Sequence, residues 1–172
     1  MGPSGVGKTT LANWLASDCN YLHIDFDQWG GDAASFASLR IGWENYKTTG
    51  DIKKLRTTIT NSCSDFVEGI VLSFPSDDML VDLAMLNQAK KVGVHPIIMY
   101  ADAETCKQTF INREMNNGRG LPVEHWQKYN AHIYKEGYLT TEHKPYLLNA
   151  YDSVGHRYNK DALLGMVIKL IA

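Results

Sequence analysis

The chain has 172 residues, enough for one domain with a sizeable hydrophobic core. Hydrophobic residues make up 44% of it and charged residues 21%, as in ordinary globular proteins, and the formal net charge is -2. A chain of this charge has no overall basic field to attract nucleic acid or an anionic membrane. We therefore expect a single domain over residues 1–172, and the charge argues against a nucleic-acid partner without excluding one.

Three cysteines, Cys19, Cys63 and Cys106, lie far apart and form no C-x-x-C motif. An odd, scattered count is typical of reduced thiols rather than of a disulfide framework. The sequence also lacks the pattern of a signal peptide and any apolar run of about 18 residues. It predicts a cytoplasmic protein with no membrane partner.

Hydrophobic periodicity predicts helices alternating with strands. In chain order we expect a helix over 9–17, a strand over 22–24, a helical region over 33–66 broken near 49–51, a strand over 69–74, a helix over 77–91, a strand over 95–100, helices over 103–115 and 122–135, a strand over 146–150, and a helix over 161–171. This order is typical of an α/β domain with a mainly parallel sheet, whose ligands bind at the carboxyl ends of the strands. Asp25, Asp27, Ser73 and Asp102 end or follow strands, so we expect them at one edge.

The most specific pattern is GPSGVGKT, residues 2–9, which matches G-x-x-x-x-G-K-[ST] at every fixed position. Glycines allow the backbone to curl so that N–H groups point at phosphate oxygens, and the helix that follows adds the positive end of its dipole. In such a loop Lys8 reaches the β- and γ-phosphates and the Thr9 hydroxyl binds Mg²⁺. The predicted nucleotide-binding residues are Gly2, Ser4, Gly5, Val6, Gly7, Lys8, Thr9 and Thr10.

Only Met1 precedes this loop in the sequence. A loop of this kind normally follows a central parallel strand, which is apolar on both faces. We expect that the first strand is lacking or truncated, and three explanations are open: a reading frame that starts further upstream, a trimmed chain, or a sheet without its central strand.

With these motifs in place, the chain resembles the P-loop small-molecule and nucleoside kinase superfamily over nearly its whole length. HIDFDQW is similar to the Asp-x-Asp segment of shikimate kinases, and NREMNNGRGLPVEHWQKYN is similar in layout to the lid of polynucleotide 5′-kinases, zeta toxins and chloramphenicol phosphotransferases. The resemblance implies a three-layer P-loop NTPase fold with a mainly parallel sheet, and ATP and Mg²⁺ as cofactors. Two departures stand out: a Ser-Phe-Pro-Ser run replaces the glycine triplet of shikimate kinases after the second predicted strand, and no basic residue lies between Asp27 and Arg40.

The resemblance implies separate roles for the two aspartates. Asp27 would face the acceptor hydroxyl as a catalytic carboxylate, and Asp25 would lie nearer the Mg²⁺ ion. Because Asp25 and Asp27 are two residues apart, both would lie on the same face of a regular strand. The alternative is a pair of solvated aspartates at a strand end. Ser73 would stand in for the usual acidic residue of the second strand, or be an ordinary serine.

A lid is expected over residues 113–122, where Arg113 and Arg119 flank an Asn-Asn-Gly turn. Arginine matches phosphate oxygens bidentately, so Arg119 is predicted to be catalytic and Arg113 to bind the nucleotide. The alternative is a solvated helix end. Arg157, after the last strand, is predicted to stack on the adenine.

The helical region over residues 30–66 is expected to bind the substrate. Arg40 and Arg56 would hold an anionic group and Trp29 would form a wall, with surface salt bridges and core packing as the alternatives. The histidines lack the spacing of a metal site, and His23 is predicted to be strand packing.

Together these features predict an ATP-dependent phosphotransferase that moves the γ-phosphoryl group to a hydroxyl of a small metabolite. A nucleoside, a polynucleotide 5′-hydroxyl or an antibiotic remains open as the acceptor. An alternative of another class is a nucleotide-binding module without turnover.

Overall fold

The structure is a computed structural model that describes residues 1–25, 37–61, 68–74, 82–120 and 123–171, without the side chains of residues 37–40, 43 and 47. The described helices are α1 Lys8–Cys19, α2 Ala37–Thr49, α3 Ile52–Asn61, α4 Leu83–Lys91, α5 Ala103–Asn116, α6 Val123–Asn130 and α7 Lys160–Ile171, with 3₁₀ turns at Ala131–Tyr134 and Thr141–Tyr146. The described strands are β1 Tyr21–Asp25, β2 Gly69–Ser73, β3 Ile98–Tyr100 and β4 Leu147–Asn149.

The alternation of helices and strands that the sequence predicts is confirmed, and the differences lie at the element ends. Helix α4 begins at Leu83, because the Asp82 carboxylate accepts a hydrogen bond from the Met85 N–H at 3.0 Å and caps the first turn. Strand β3 is shorter than expected and starts at Ile98. The helix expected to reach residue 135 ends at Asn130 and continues as a 3₁₀ turn.

Among the described residues, the strands form two separate parallel pairs rather than one sheet. Tyr21 is opposite Gly69 and Asp25 is opposite Ser73 in the β1–β2 pair. In the β3–β4 pair, Ile98 is opposite Leu147. The protein is therefore a mixed α/β fold with two small parallel sheets.

Successive residues of each strand pack into different hydrophobic clusters. On β2, Val71 packs against the cluster built on α1, α5 and α7, whereas Ile70 and Leu72 pack against the cluster built on α3. On β3, Met99 belongs to the first of these clusters, and Ile98 packs with Leu86 of α4 in a third. Because strand side chains alternate between faces, helices cover both faces of the strands.

An apolar cavity of about 640 Å³ lies between the two strand pairs, and we call it the slot. Residues 69–74 line one side of it, and residues 93–97 with Met99 line another. Residues 70–72 line this cavity and are partly buried. Met1 lies at the slot as well, since its nitrogen donates to the Ile97 carbonyl and its carbonyl accepts from the Met99 N–H, both at 2.8 Å.

No helix within the described ranges is both long and apolar enough to cross a bilayer.

Candidate functional site: a glycine-rich loop at the start of α1

The loop of residues 2–7 runs directly into α1, whose first residue is Lys8. Gly7 occupies the N-cap position with a φ of 98°, in the left-handed region. A glycine supplies no capping side chain, and the first turn of α1 carries no acidic residue. The N-terminal turn can therefore accept an anion as its capping group, with the positive end of the helix dipole behind it.

Two glycines of the motif are required by close backbone contacts. Gly2 has a φ of 144° and Gly5 a φ of 92°, both unfavourable for residues with a side chain. A Cβ at Gly2 would overlap the Met99 carbonyl oxygen, and a Cβ at Gly5 would overlap the Cys106 carbonyl oxygen. The loop thus lies in backbone contact with β3 and with α5.

Helix α6 holds the loop from the other side, through Ser4. The Ser4 N–H donates to Asn130 Oδ1 at 2.7 Å, and Trp126 Nε1 donates to the Ser4 carbonyl at 2.9 Å. Asn130 Nδ2 in turn donates to the Trp126 carbonyl at 2.8 Å. Trp126 and Asn130 are both buried. Neither residue could be predicted from the sequence, because no spacing links them to a loop more than 120 positions earlier.

Lys8 lies in the first turn with its side chain folded back onto the loop. Its Nζ donates to the Pro3 carbonyl at 3.0 Å. The ammonium group therefore already lies at the loop that its motif predicts it to serve.

Two hydrogen bonds join the same face of α1 to one face of β1. Thr9 Oγ1 donates to Asp25 Oδ2 at 3.0 Å, and His23 Nδ1 lies 2.7 Å from Asn13 Oδ1. Thr9 and Asn13 are four residues apart on a helix, and His23 and Asp25 are two apart on a strand, so each pair shares a face. This matching of spacings is a sequence signal that would have brought His23 into the site.

His23 has a polar role that its expected place in strand packing did not include. Its Nε2 lies 2.8 Å from Ser73 Oγ, so the ring bridges α1 and β2. Burial lowers the pKa of His23, although the nearby Asp25 carboxylate acts in the opposite direction. A neutral ring that donates from Nδ1 to the Asn13 amide oxygen accepts at Nε2 from the Ser73 hydroxyl.

The expected convergence of strand-end residues is confirmed in part. Asp25 and Ser73 are opposite each other in the β1–β2 register. Asp102 instead caps α5, where its carboxylate accepts from the Thr105 N–H at 2.8 Å. Hydrogen bonds from the Thr105 side chain and, to a lesser extent, from its N–H lower the pKa of Asp102.

The two arginines of the expected lid both lie against a single buried carboxylate, Glu114. Arg113 Nε and Nη2 each lie 2.8 Å from Glu114 Oε1, and Arg119 Nε lies 3.1 Å from Oε2. The Arg119 N–H also donates to the Glu114 carbonyl at 2.9 Å. The Glu114 side chain is 3% exposed, whereas those of Arg113 and Arg119 are 52% and 64% exposed. The carboxylate thus holds two solvent-facing guanidinium groups at the end of α5. Residues 121–122 of the expected lid lie outside the described residues.

Arg157 lies beside the loop. Its guanidinium carbon is 5.7 Å from the centroid of the Trp14 ring, and a Cβ at Gly7 would overlap Nη2 of the same side chain. The structure therefore adds a cation next to the start of α1.

The predicted substrate residues are not brought to this site by any described contact. Arg56 Nη1 donates to the Val92 carbonyl at the end of α4, where it serves as a C-terminal cap. Asp27 and Trp29 lie outside the described residues, and Arg40 is on α2 with its side chain not described. Their roles stay predictions.

The residues at the loop fit a nucleotide-bound Mg²⁺ better than a metal held by protein alone. In the described part of the chain no group of three or more His, Cys, Asp or Glu side chains could hold a metal ion. Thr9 and Asp25 place two oxygen ligands 3.0 Å apart. Mg²⁺ typically uses one or two such ligands and completes its shell with phosphate oxygens and water.

Comparison with models of known protein families gives no match, and comparison with curated proteins gives none either.

Proposed function

We propose that the protein is an ATP-dependent phosphotransferase on a three-layer P-loop fold, and that it transfers the γ-phosphoryl group to a hydroxyl of a small metabolite. One observation carries the proposal. The complete G-x-x-x-x-G-K-[ST] motif lies in a loop at the start of α1, and its Thr9 hydroxyl bonds to a carboxylate at the end of β1. A phosphate group and its Mg²⁺ are the ligands that such a combination suits.

The packing supports the fold part of the proposal. Strands that are parallel in pairs, with helical clusters on both faces, are the components of a three-layer α/β domain. The loop at the start of α1 and the carboxyl ends of β1 and β2 then lie where ligands bind in that architecture.

In this proposal each described residue has a task in positioning or charge neutralisation, on which phosphoryl transfer mainly depends. The Lys8 ammonium moves from the Pro3 carbonyl to the β- and γ-phosphate oxygens. Thr9 and Asp25 hold the Mg²⁺ ion, which when bound neutralises charge on the phosphates. Arg157 binds the nucleotide beside the loop. Arg113 and Arg119 exchange Glu114 for phosphate oxygens when the lid closes.

The acceptor is the least constrained part of the proposal. Asp27 is assigned to the acceptor hydroxyl, and the helical region with Arg40, Arg56 and Trp29 is assigned to the acceptor itself. A nucleoside, a polynucleotide 5′-hydroxyl or an antibiotic is an alternative acceptor with the same chemistry.

A nucleotide-binding module without turnover is the second candidate, and one observation favours it. The residue opposite Asp25 at the end of β2 is Ser73, a serine 2.8 Å from His23 rather than a second carboxylate. A site with fewer carboxylates orients Mg²⁺ less firmly, so binding can persist where turnover is lost.

The first experiment is calorimetric titration of the protein with ATP·Mg²⁺, compared with Lys8→Ala and with the control Lys128→Ala. Lys128 lies on α6 with its ammonium group 5.1 Å from the centroid of the Tyr129 ring, and it carries the same charge as Lys8. We expect Lys8→Ala to weaken binding at least tenfold and Lys128→Ala to leave it unchanged. Equal affinity in all three proteins would overturn the assignment of the loop.

The second experiment separates the two candidates. ATP consumption is measured with a panel of sugars, hydroxy acids, nucleosides and 5′-hydroxyl oligonucleotides. Stimulation by one acceptor, lost in Lys8→Ala, supports a phosphotransferase. Tight ATP binding without consumption in any mixture supports the binding module.

A further inference from the structure

The slot separates two strand edges that both belong to parallel pairs. β2 pairs with β1 along one edge, and its residues from Gly69 onward line the slot. β3 pairs with β4, and the segment leading into it, residues 93–97, lines the slot as well. Helices close the cavity above and below, with Leu11 and Leu15 of α1 on one side and Leu55 of α3 on the other.

Met1 already makes one rung of a parallel ladder at the edge of β3. Its nitrogen donates to the Ile97 carbonyl and its carbonyl accepts from the Met99 N–H, which places Met1 opposite Ile98. In that register, the residue two positions before Met1 would be opposite Pro96. Its bonds would use the His95 carbonyl and the Ile97 N–H, so the missing N–H of Pro96 would not interrupt the ladder.

The amino group of Met1 occupies a position suited to an amide nitrogen. Burial lowers the pKa of this amino group to about 5, and the nearby Lys8 charge acts in the same direction. A peptide N–H there would donate the same hydrogen bond to Ile97 without placing a charge in an apolar cavity.

We propose that a further β-strand occupies the slot. This strand is an extended apolar segment that runs parallel to β2 and β3, and its carboxyl end is joined to the nitrogen of Met1. A segment of about five residues has the typical length of such a strand. Its alternate side chains would meet Leu11 and Leu15 of α1 on one face and Leu55 of α3 on the other, so both faces have to be apolar. The strand joins the two pairs into one sheet and anchors Gly2.

This inference rests on the slot and the Met1 hydrogen bonds, and not on phosphotransfer. If the protein does not bind ATP, the proposal of a further strand is unaffected. If the strand does not form, the extended chain shows no gain in stability, whatever its affinity for nucleotides. The other possible occupants, an apolar small molecule or a second copy of the chain, are outcomes that the test below distinguishes.

The test compares four forms of the chain. One is the 172-residue chain itself, with retention of Met1 verified by intact mass. The second carries a five-residue extension of alternating Val and Ile before Met1, the third an equally long Gly-Ser extension, and the fourth the Val-Ile extension with proline two positions before Met1. Thermal unfolding, binding of an apolar dye, and hydrogen exchange of the Ile97 and β2 amides are measured for each.

We expect the Val-Ile extension alone to raise the melting temperature by about 5 °C or more, abolish dye binding, and slow exchange of the Ile97 amide at least tenfold. The proline form should lose most of this gain, since proline cannot donate to the His95 carbonyl. If the 172-residue chain is unfolded, cooperative unfolding of the Val-Ile form alone supports the proposal.

Three results would overturn the proposal. Equal effects of the Val-Ile and Gly-Ser extensions would show that the slot takes no strand. Dye binding unaffected by the extension would assign the slot to a small apolar ligand. Stabilisation that appears only with dimerisation, measured by light scattering, would assign it to a second copy.

Discussion

At the residue scale, the contact between Gly5 and the Cys106 carbonyl can be separated from the backbone preference of glycine. Gly5→Ala adds a Cβ that overlaps this oxygen at a φ of 92°. Gly137 is a matched control, because its φ is 78° and nothing lies within 4 Å of an added Cβ. We expect Gly137→Ala to cost about 1–2 kcal/mol of unfolding free energy from its backbone alone, and Gly5→Ala to cost about 1–3 kcal/mol more from overlap. Urea unfolding measures both, and equal losses would mean that the loop can move away from α5.

Asp25 allows a second prediction at this scale, because asparagine preserves its shape and its hydrogen bond from Thr9. Asp25→Asn should leave nucleotide affinity without metal unchanged and raise the Mg²⁺ concentration needed for half-maximal stabilisation of the complex about 10–100-fold. Asp18→Asn is the control, since Asp18 pairs with Lys160 at the opposite end of α1. Thermal shifts with ATP across a Mg²⁺ series give the result. The same Mg²⁺ dependence in both variants would remove Asp25 from the metal site.

At the scale of elements, α6 is the support of the loop. Asn130→Ala leaves the Ser4 N–H and the Trp126 carbonyl without the partners they have now, which should cost about 1–3 kcal/mol of unfolding free energy. Asn130→Asp keeps an acceptor for the Ser4 N–H but sets a carboxylate oxygen against the Trp126 carbonyl, so its loss of stability comes from that repulsion and from burial of a charge, not from the Ser4 hydrogen bond. Hydrogen exchange of the Ser4 amide should accelerate strongly in the alanine variant and little in the aspartate variant. Unchanged exchange in both would mean that α6 does not hold the loop.

At the same scale, the end of α5 shows how one carboxylate organises a segment. Glu114 pairs with two arginines that are six positions apart, and their side chains remain more than half exposed. Salt bridges of exposed groups contribute little by themselves, but a buried carboxylate needs its partners. A ligand that draws the arginines away must therefore offer Glu114 or its surroundings a compensating contact.

For the whole molecule, the slot is too large to be an empty void. Leaving about 640 Å³ of largely apolar space unfilled would give up the close contacts that stabilise a packed interior. The slot is therefore hydrated or occupied in any folded form of the chain.

The buried amino group of Met1 gives the whole molecule a characteristic pH dependence. Its pKa is about 5 in the folded protein and near the ordinary value of 8.0 when unfolded. Between these values the unfolded state binds more protons, so the unfolding free energy rises with pH through this window, by at most about 1.4 kcal/mol per unit, and levels off above it. His23, whose pKa is also lowered by burial, contributes with the same sign over a lower range.

Acetylation of the Met1 nitrogen separates the contributions of Met1 and His23 to the pH dependence of the unfolding free energy. The acetylated chain should lose the rise between about pH 7 and 8, where His23 no longer titrates, and at lower pH should keep only the part of the rise that His23 contributes. The other ionisable groups that line the slot are the same in both forms: Lys8, Tyr21, Tyr46, Arg56, Glu68 and His95. Urea unfolding across the pH range measures the slopes, and identical slopes would mean that Met1 is exposed to water.

The sequence by itself determined the features that depend on residues close together along the chain. The order of helices and strands, the break between α2 and α3 at Gly50 and the loop before α1 follow from periodicity and from residues that favour turns. The sequence also places Thr9 in the motif and Asp25 at a strand end, but the hydrogen bond between them is a contact that only the structure shows.

Only the tertiary structure decided which distant residues complete the site. Asn130 and Trp126 reach Ser4 across more than 120 positions, and His23 reaches Ser73 across 50. The same holds for the slot, since two strand pairs separated by a cavity have the same local patterns as one continuous sheet. Such contacts depend on how whole elements pack, and no short stretch of sequence determines the free energy of that packing.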